Sequence, residues 1–142
     1  MEPMQLVDVR VANARTALVE FETYSQGQVN ACIKAMCLAF KANAEALSKE
    51  VIKETRLGDF QSKLEKNTGS PDGIWYALKG KKSVGIIGED KELHVKYVAS
   101  PKGIMCSVAP TTNPNITVLF NAAFALKCRN VLIVAPHPRA KK

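Results

Sequence analysis

Residues 108–139 read Val-Ala-Pro-Thr-Thr-Asn-Pro-Asn-Ile-Thr-Val-Leu-Phe-Asn-Ala-Ala-Phe-Ala-Leu-Lys-Cys-Arg-Asn-Val-Leu-Ile-Val-Ala-Pro-His-Pro-Arg, and this stretch decides the fold. It is entered through an apolar run, 104–109, and it contains a second one, 131–135. Short unbroken apolar runs bounded by turn residues read as strands buried on both faces. Between them, 115–127 offers Leu119, Ala123, Phe124 and Leu126 for burial on a helix. Strand, helix and strand make a βαβ unit, which implies parallel strands and a right-handed crossover. Open α/β sheets bind ligands at the carboxyl ends of their strands. The two strand exits, 110–113 and 136–139, are therefore the candidate site.

At the first exit, Asn113 suits a helix N-cap and Pro114 the first helical position, where a missing N–H costs nothing. An Asn held there can also donate its side-chain N–H to an oxygen that develops negative charge. Thr111 and Thr112 can line a carboxamide or a ribose. At the second exit, Pro136 and Pro138 stiffen a loop that carries His137 and Arg139. Arg139 can bind phosphate and His137 a hydroxyl; each taken alone also reads as a solvated loop residue.

Upstream, apolar residues at Val7, Val11, Ala14, Leu18 and Phe21 keep the three-to-four spacing of a helix face. Ser25 and Gln28 fit a capping box. One long helix is expected to follow, with the stripe Val29, Cys32, Ile33, Met36, Phe40, Leu47 and Val51. It should close at Leu57-Gly58, with Gly58 as a left-handed cap. Asp59 can start a short helix bearing Phe60 and Leu64. Gly69-Ser70-Pro71 should break it and restart another, with Ile74, Trp75 and Leu78 buried. After Lys82 the period changes to that of strands: 83–87, a turn at 88–91, then Leu93, Val95 and Tyr97 alternating with His94, Lys96 and Val98. A hairpin with one covered and one wetter face is expected, with His94 a solvated strand residue.

The chain has 142 residues, 46% hydrophobic and 23% charged, which suits one soluble domain. No apolar run is long enough to span a bilayer, and residues 1–10 lack the basic-then-apolar order of a secretory signal. A cytoplasmic location is the expectation. Cys32, Cys37, Cys106 and Cys128 show no C-x-x-C spacing and read as packing residues, and no metal site is expected. The net charge of +7 is spread along the chain without interleaved aromatics or a nucleic-acid motif, so no nucleic-acid partner is expected. A G-x-G-x-x-G fingerprint, a Walker loop and a G-x-S-x-G elbow are absent. From the residues alone the conclusion is an α/β domain with a ligand-capable strand edge.

The segments Val-Ala-Pro-Thr-Thr-Asn-Pro (108–114), Ala-Leu-Lys-Cys-Arg-Asn (125–130) and Pro-His-Pro-Arg-Ala-Lys (136–141) resemble the aldehyde dehydrogenase superfamily. The resemblance is to its CoA-acylating branch, which includes acetylating acetaldehyde dehydrogenases and the aldehyde half of bifunctional aldehyde–alcohol dehydrogenases. Tyr-Ser-Gln-Gly-Gln-Val (24–29), Lys-Leu-Glu-Lys-Asn (63–67) and Ser-Val-Gly-Ile-Ile (83–87) extend the likeness along the chain. It implies an N-terminal helical region (1–82), a hairpin resembling oligomerisation strands (83–99), and the start of a Rossmann-like NAD-binding βαβ domain (100–142). It further implies that Asn113 is the oxyanion donor and that Pro110, Thr111 and Thr112 lie on the nicotinamide-ribose side of the NAD site. His137, Pro138 and Arg139 are implied near the adenosine ribose.

In the family a Cys thiolate attacks a short aldehyde, hydride passes to NAD, and the acyl group is transferred to coenzyme A. None of the four cysteines sits in the matching context. The resemblance therefore implies the N-terminal part of a longer enzyme, inactive alone, with an incomplete sheet and a homo-oligomer formed through the hairpin. A noncatalytic nucleotide-binding or assembly module derived from the family is the alternative. No extra leader for packaging into a protein shell is expected, since the N-terminus starts almost directly at the family-like helix.

Overall fold

The computed structural model describes residues 2–141. Local chemistry sets the first boundaries. Helix α1 (Pro3–Phe21) is followed by α2 (Gln26–Ala42), whose Ser25 Oγ accepts from the Gln28 N–H while the Gln28 side chain accepts from the Ser25 N–H. That reciprocal pairing is the expected capping box. On α1 the half-buried positions are Val11, Ala14, Leu18 and Phe21, while Val7 is exposed.

The expected single long helix is two. Asn43, at φ −103° and ψ 10°, ends α2, and its Nδ2 donates to the Ala39 carbonyl at 2.8 Å. An Asn side chain that satisfies the backbone in this way competes with helix continuation. Helix α3 (Ala44–Thr55) starts at the next residue and closes on Arg56 in the left-handed region, φ 58°. Arg56, two residues before Gly58, is thus the cap.

Helix α4 (Phe60–Leu78) opens on Asp59, which accepts from the Ser62 N–H at 2.9 Å. It then runs through Pro71 without the expected break. Pro71 removes the donor for the carbonyl four residues back, at a cost of about 3 kcal/mol. Continuing the helix places Ile74 and Leu78 in the core, each contributing roughly 1.5–3 kcal/mol, and this offsets the loss. The buried face of α4 is Lys63, Asn67, Pro71, Ile74 and Leu78, whereas Phe60 is exposed.

The Ser62 hydrogen bonds to Asp59, backbone first and side chain second, hold its carboxyl below the usual range. A carboxyl with a depressed folded pKa contributes stability above its ordinary pKa and loses it as pH falls through the folded value. Asp59→Asn is therefore expected to flatten the acid limb of a stability–pH curve below about pH 4. An unchanged limb by thermal melts between pH 2 and 5 would contradict the cap's role.

Strands β1 (Gly85–Asp90) and β2 (Val95–Ala99) pair antiparallel, with a register irregularity between Ile86 and Gly88. The turn lies later than expected. Asp90 Oδ1 accepts from the Glu92 and Leu93 N–H groups, and His94, at φ 55°, is a turn residue and not a strand residue. Neither face of the hairpin is covered, because among the described residues no other element packs on it. Its two legs are held at the base. Gln26 Oε1 accepts from the Ser83 N–H at 2.7 Å, and Arg129 donates to the Ala99 carbonyl at 3.5 Å.

Strand β3 (Ile104–Val108), helix α5 (Pro114–Lys127) and strand β4 (Val131–Ala135) form the parallel βαβ unit, with Ile104 opposite Val131 and Val108 opposite Ala135. Asn130 Oδ1 accepts from the Lys102 and Gly103 N–H groups and ties the two strand starts together. The strands are not buried on both faces: Met105, Cys106, Val108 and Val134 are exposed, because this sheet has two strands. Phe124 is also exposed, at 53%. Helix α1 packs on β3 and β4 without touching α5. The core instead lies among α2, α4 and α5, around Val29, Ile33, Cys37, Ile74, Leu78, Ile116, Leu119 and Ala123. Trp75 packs against this cluster. Of the cysteines, Cys37 is buried and Cys32 half-buried, but Cys106 and Cys128 are exposed, which corrects their reading as packing residues. No helix among the described residues is long and apolar enough to cross a membrane.

Candidate functional site

The sheet ladder closes with the Ala109 N–H donating to the Ala135 carbonyl at 3.0 Å, so both chains leave the sheet side by side. The first exit passes through Pro110, half-buried Thr111 and exposed Thr112 to Asn113, the N-cap of α5. The Asn113 backbone carbonyl accepts from the Thr117 N–H at 3.1 Å, but its side chain makes no cap. The side-chain cap expected of Asn113 is thus absent. Its Oδ1 accepts instead from Lys66 of α4. Lys63, one turn earlier, donates to the Thr112 carbonyl at 2.5 Å. Burial pushes the Lys63 ammonium pKa down and the Lys66 charge adds to this, with Asp59 opposing.

Sequence reasoning did not place these two lysines at the strand exit. Lysine is rarely read as an inward-facing residue, and the only signal available was their place within the family-like 63–67 segment. Among the described residues, two buried polar atoms at this exit have no hydrogen-bond partner, the Thr111 hydroxyl and Asn115 Nδ2. The Asn115 Oδ1 accepts from the Ile116 N–H at 2.8 Å. Buried groups of this kind ordinarily find a partner, so this exit keeps one hydroxyl and one amide donor with unmet hydrogen-bonding capacity.

At the second exit the loop is closed on itself. His137 Nδ1 accepts from the Arg139 N–H at 3.1 Å and the His137 carbonyl from the Ala140 N–H at 2.8 Å. With Nδ1 an acceptor, the neutral ring carries its proton on Nε2, which is the donor left for a hydroxyl. Arg139 reaches the Thr55 carbonyl at 3.4 Å, at the end of α3, and the Lys141 N–H donates to Glu54 at 2.6 Å. Both last contacts dock this loop on a helix C-terminus, where positive charge is favoured. Pro138 is exposed.

Between the exits and the helices lies a cleft of about 450 Å³, lined by Met36, Phe40, Leu47 and Val51 of α2 and α3 and by Val118, Leu119 and Ala122 of α5. Ala109 and Pro136 bring the two strand exits to its wall, and Glu50, Glu54, Asn115 and Lys141 supply polar atoms. Its size and apolar lining are those of a small-molecule site. The neighbours of the sequence-derived residues form it: Pro114, Asn115, Pro136 and Ala140 line it, whereas Thr111, Thr112, Asn113, His137, Pro138 and Arg139 do not. Among the described residues no three His, Cys, Asp or Glu side chains gather to hold a metal.

No thiol lines this cleft. Burial, then the Asp72 charge, pushes the Cys37 pKa up, the direction opposite to that of a nucleophile. Cys128 caps the far end of the 14-residue helix that Asn113 opens, which separates the two by about 22 Å at the helical rise.

No family model matches the chain. It is similar to a succinate-semialdehyde dehydrogenase (acetylating) of Clostridium kluyveri, 43% identical over 93% of this chain and 29% of that protein. It is also similar to the bifunctional aldehyde-alcohol dehydrogenase AdhE of Escherichia coli K12, 35% identical over 92% of this chain and 15% of that protein. Among solved structures, an acetylating aldehyde dehydrogenase from Geobacillus thermoglucosidasius superposes with a TM-score of 0.93 at 33% identity, covering 96% of this chain and 30% of that one. The chain thus spans less than a third of the length of these relatives. By sequence and by fold it is thus similar to the CoA-acylating branch of the aldehyde dehydrogenase superfamily, and it matches the N-terminal part of those longer proteins.

Proposed function

We propose that this chain forms one wall of the active site of an NAD-dependent, CoA-acylating aldehyde dehydrogenase, and that alone it has no turnover. The observation that carries this reading is the 43% identity to an acetylating relative along 93% of the chain. The reaction converts a short aldehyde, CoA and NAD⁺ into acyl-CoA, NADH and a proton. Asn113 is the oxyanion donor: with its amide oxygen held by Lys66, its NH₂ end is the group left to donate. It also stands at the positive end of α5, where developing negative charge is favoured.

Pro110, Thr111 and Thr112 take the nicotinamide-ribose side, and the unpartnered Thr111 hydroxyl fits a sugar hydroxyl. His137, Pro138 and Arg139 take the adenosine-ribose side, with His137 Nε2 as donor. NAD, when bound, accepts the hydride; these residues bind and orient. The regions 1–82, 83–99 and 100–142 serve as helical support, assembly hairpin and nucleotide unit, in a cytoplasmic enzyme.

Two measurements test this. Purified chain with acetaldehyde, CoA and NAD is expected to give no NADH. Aldehyde-dependent NADH formation that survives Asn113→Ala and replacement of all four cysteines would overturn the mechanism. In NMR titration, NAD is expected to shift the resonances of Thr111, Thr112, Asn113 and His137; shifts confined to other regions would remove the site assignment.

A second reading is favoured by the uncovered hairpin: a noncatalytic module that joins oligomers through β1 and β2. Co-purification of a defined mixed oligomer with a full-length acylating relative supports it, and failure to associate excludes it.

A further inference from the structure

We infer that Lys66 is a positioning residue for Asn113, holding the amide oxygen so that the NH₂ end faces the place where a carbonyl oxygen would react. The inference rests on the reading of Asn113 as the oxyanion donor. An Asn side chain has one accepting and one donating end, and rotation exchanges them. A lysine ammonium has three donors and no acceptor, so only the amide oxygen can face it. The flipped amide would set NH₂ against NH₃⁺. Lys66 Nζ reaches Asn113 Oδ1 from 47 residues away, which makes the orientation a product of how α4 packs on α5.

Lys63 supports the same arrangement. Residues three apart on a helix are neighbours, and Lys63 donates to the Thr112 carbonyl at 2.5 Å while Lys66 holds the next residue. Two consecutive loop residues are therefore clamped by one face of α4. Among the described residues neither ammonium forms an ion pair with a carboxylate. Asp59 acts on Lys63 without pairing with it, and the two ammonium groups beside the Asn113 amide carry the sign that favours an oxyanion.

The test is side-chain ¹⁵N NMR of the chain, with the Asn113 NH₂ pair assigned by its loss in Asn113→Ala. Wild type is expected to show that pair with an order parameter near the rigid-backbone value of about 0.85, falling below about 0.6 in Lys66→Met. Backbone resonances away from 110–116 should stay in place, and Lys66→Arg should restore the order. A pair equally ordered in Lys66→Met, or already mobile in wild type, overturns the proposal. Should Lys66→Met fail to fold, the wild-type Lys66 NH₃⁺ resonance still decides: a hydrogen-bonded ammonium is visible through slowed exchange, and its absence counts against the clamp. Failure of the enzyme reading would show separately, in the NAD titration, with the Lys66-dependent order intact.

Discussion

Ile33→Ala is expected to destabilise the chain by about 3 kcal/mol, within the 2–5 kcal/mol range for truncating a fully buried aliphatic side chain. Ile33 is 0% exposed and sits where α2, α4 and α5 meet. Its neighbours Val29, Ile74 and Leu119 are on three different helices, so the cavity cannot be closed by moving one of them. The effect is large relative to the total. Domains of this size hold together by about 5–15 kcal/mol, and here the hairpin adds nothing to the core while β3 is largely exposed. In urea, with a slope of about 1–3 kcal/mol per molar, the midpoint should fall by roughly 1–3 M. Leu38→Ala is the control, since Leu38 is 56% exposed, and should change stability by less than about 0.5 kcal/mol. Comparable shifts for the two variants would mean that the core does not lie where α2, α4 and α5 meet.

Pairing Ile86→Glu with Val98→Lys is expected to turn an associating chain into a monomer. Ile86, Ile87, Val95, Tyr97 and Val98 are all at least 41% exposed on a hairpin that touches no other element. An uncovered apolar ribbon with free edges is a template for pairing with another chain. Ile86 and Val98 face each other across the ladder, so the introduced charges of opposite sign support the hairpin while making its surface unfit for burial. Light scattering after size exclusion should give a multiple of 15.5 kDa for wild type and 15.5 kDa for the variant, with unchanged far-ultraviolet circular dichroism. A wild-type chain that is already monomeric, or a variant that still associates, rules out assembly through the hairpin.

Much of the framework was legible because it rests on chemistry within a few residues. Ser25 with Gln28, Asp59 with Ser62, and Pro114 at the start of α5 each satisfy a backbone need locally. The βαβ unit and the hairpin followed from changes in apolar period. Sequence reasoning failed where a distant partner reversed a local preference. Pro71 breaks an isolated helix but not one held by Ile74 and Leu78. His94 alternates like a strand residue, yet Asp90 draws its segment into a turn. Phe124 and the faces of β3 read as buried, but in a two-stranded sheet each strand is an edge, and α1 and α5 lie chiefly on β4.

The sequence by itself determined the order of elements, the two strand exits and the residue types at each, because turn chemistry and periodicity are properties of neighbours along the chain. Only the tertiary structure decided which of those groups are free to act. Arg139 is engaged at the Thr55 carbonyl, His137 Nδ1 is used within its own loop, and the Asn113 amide is oriented by Lys66. Such assignments depend on a donor and an acceptor brought together by packing, and buried polar groups settle only where those partners meet.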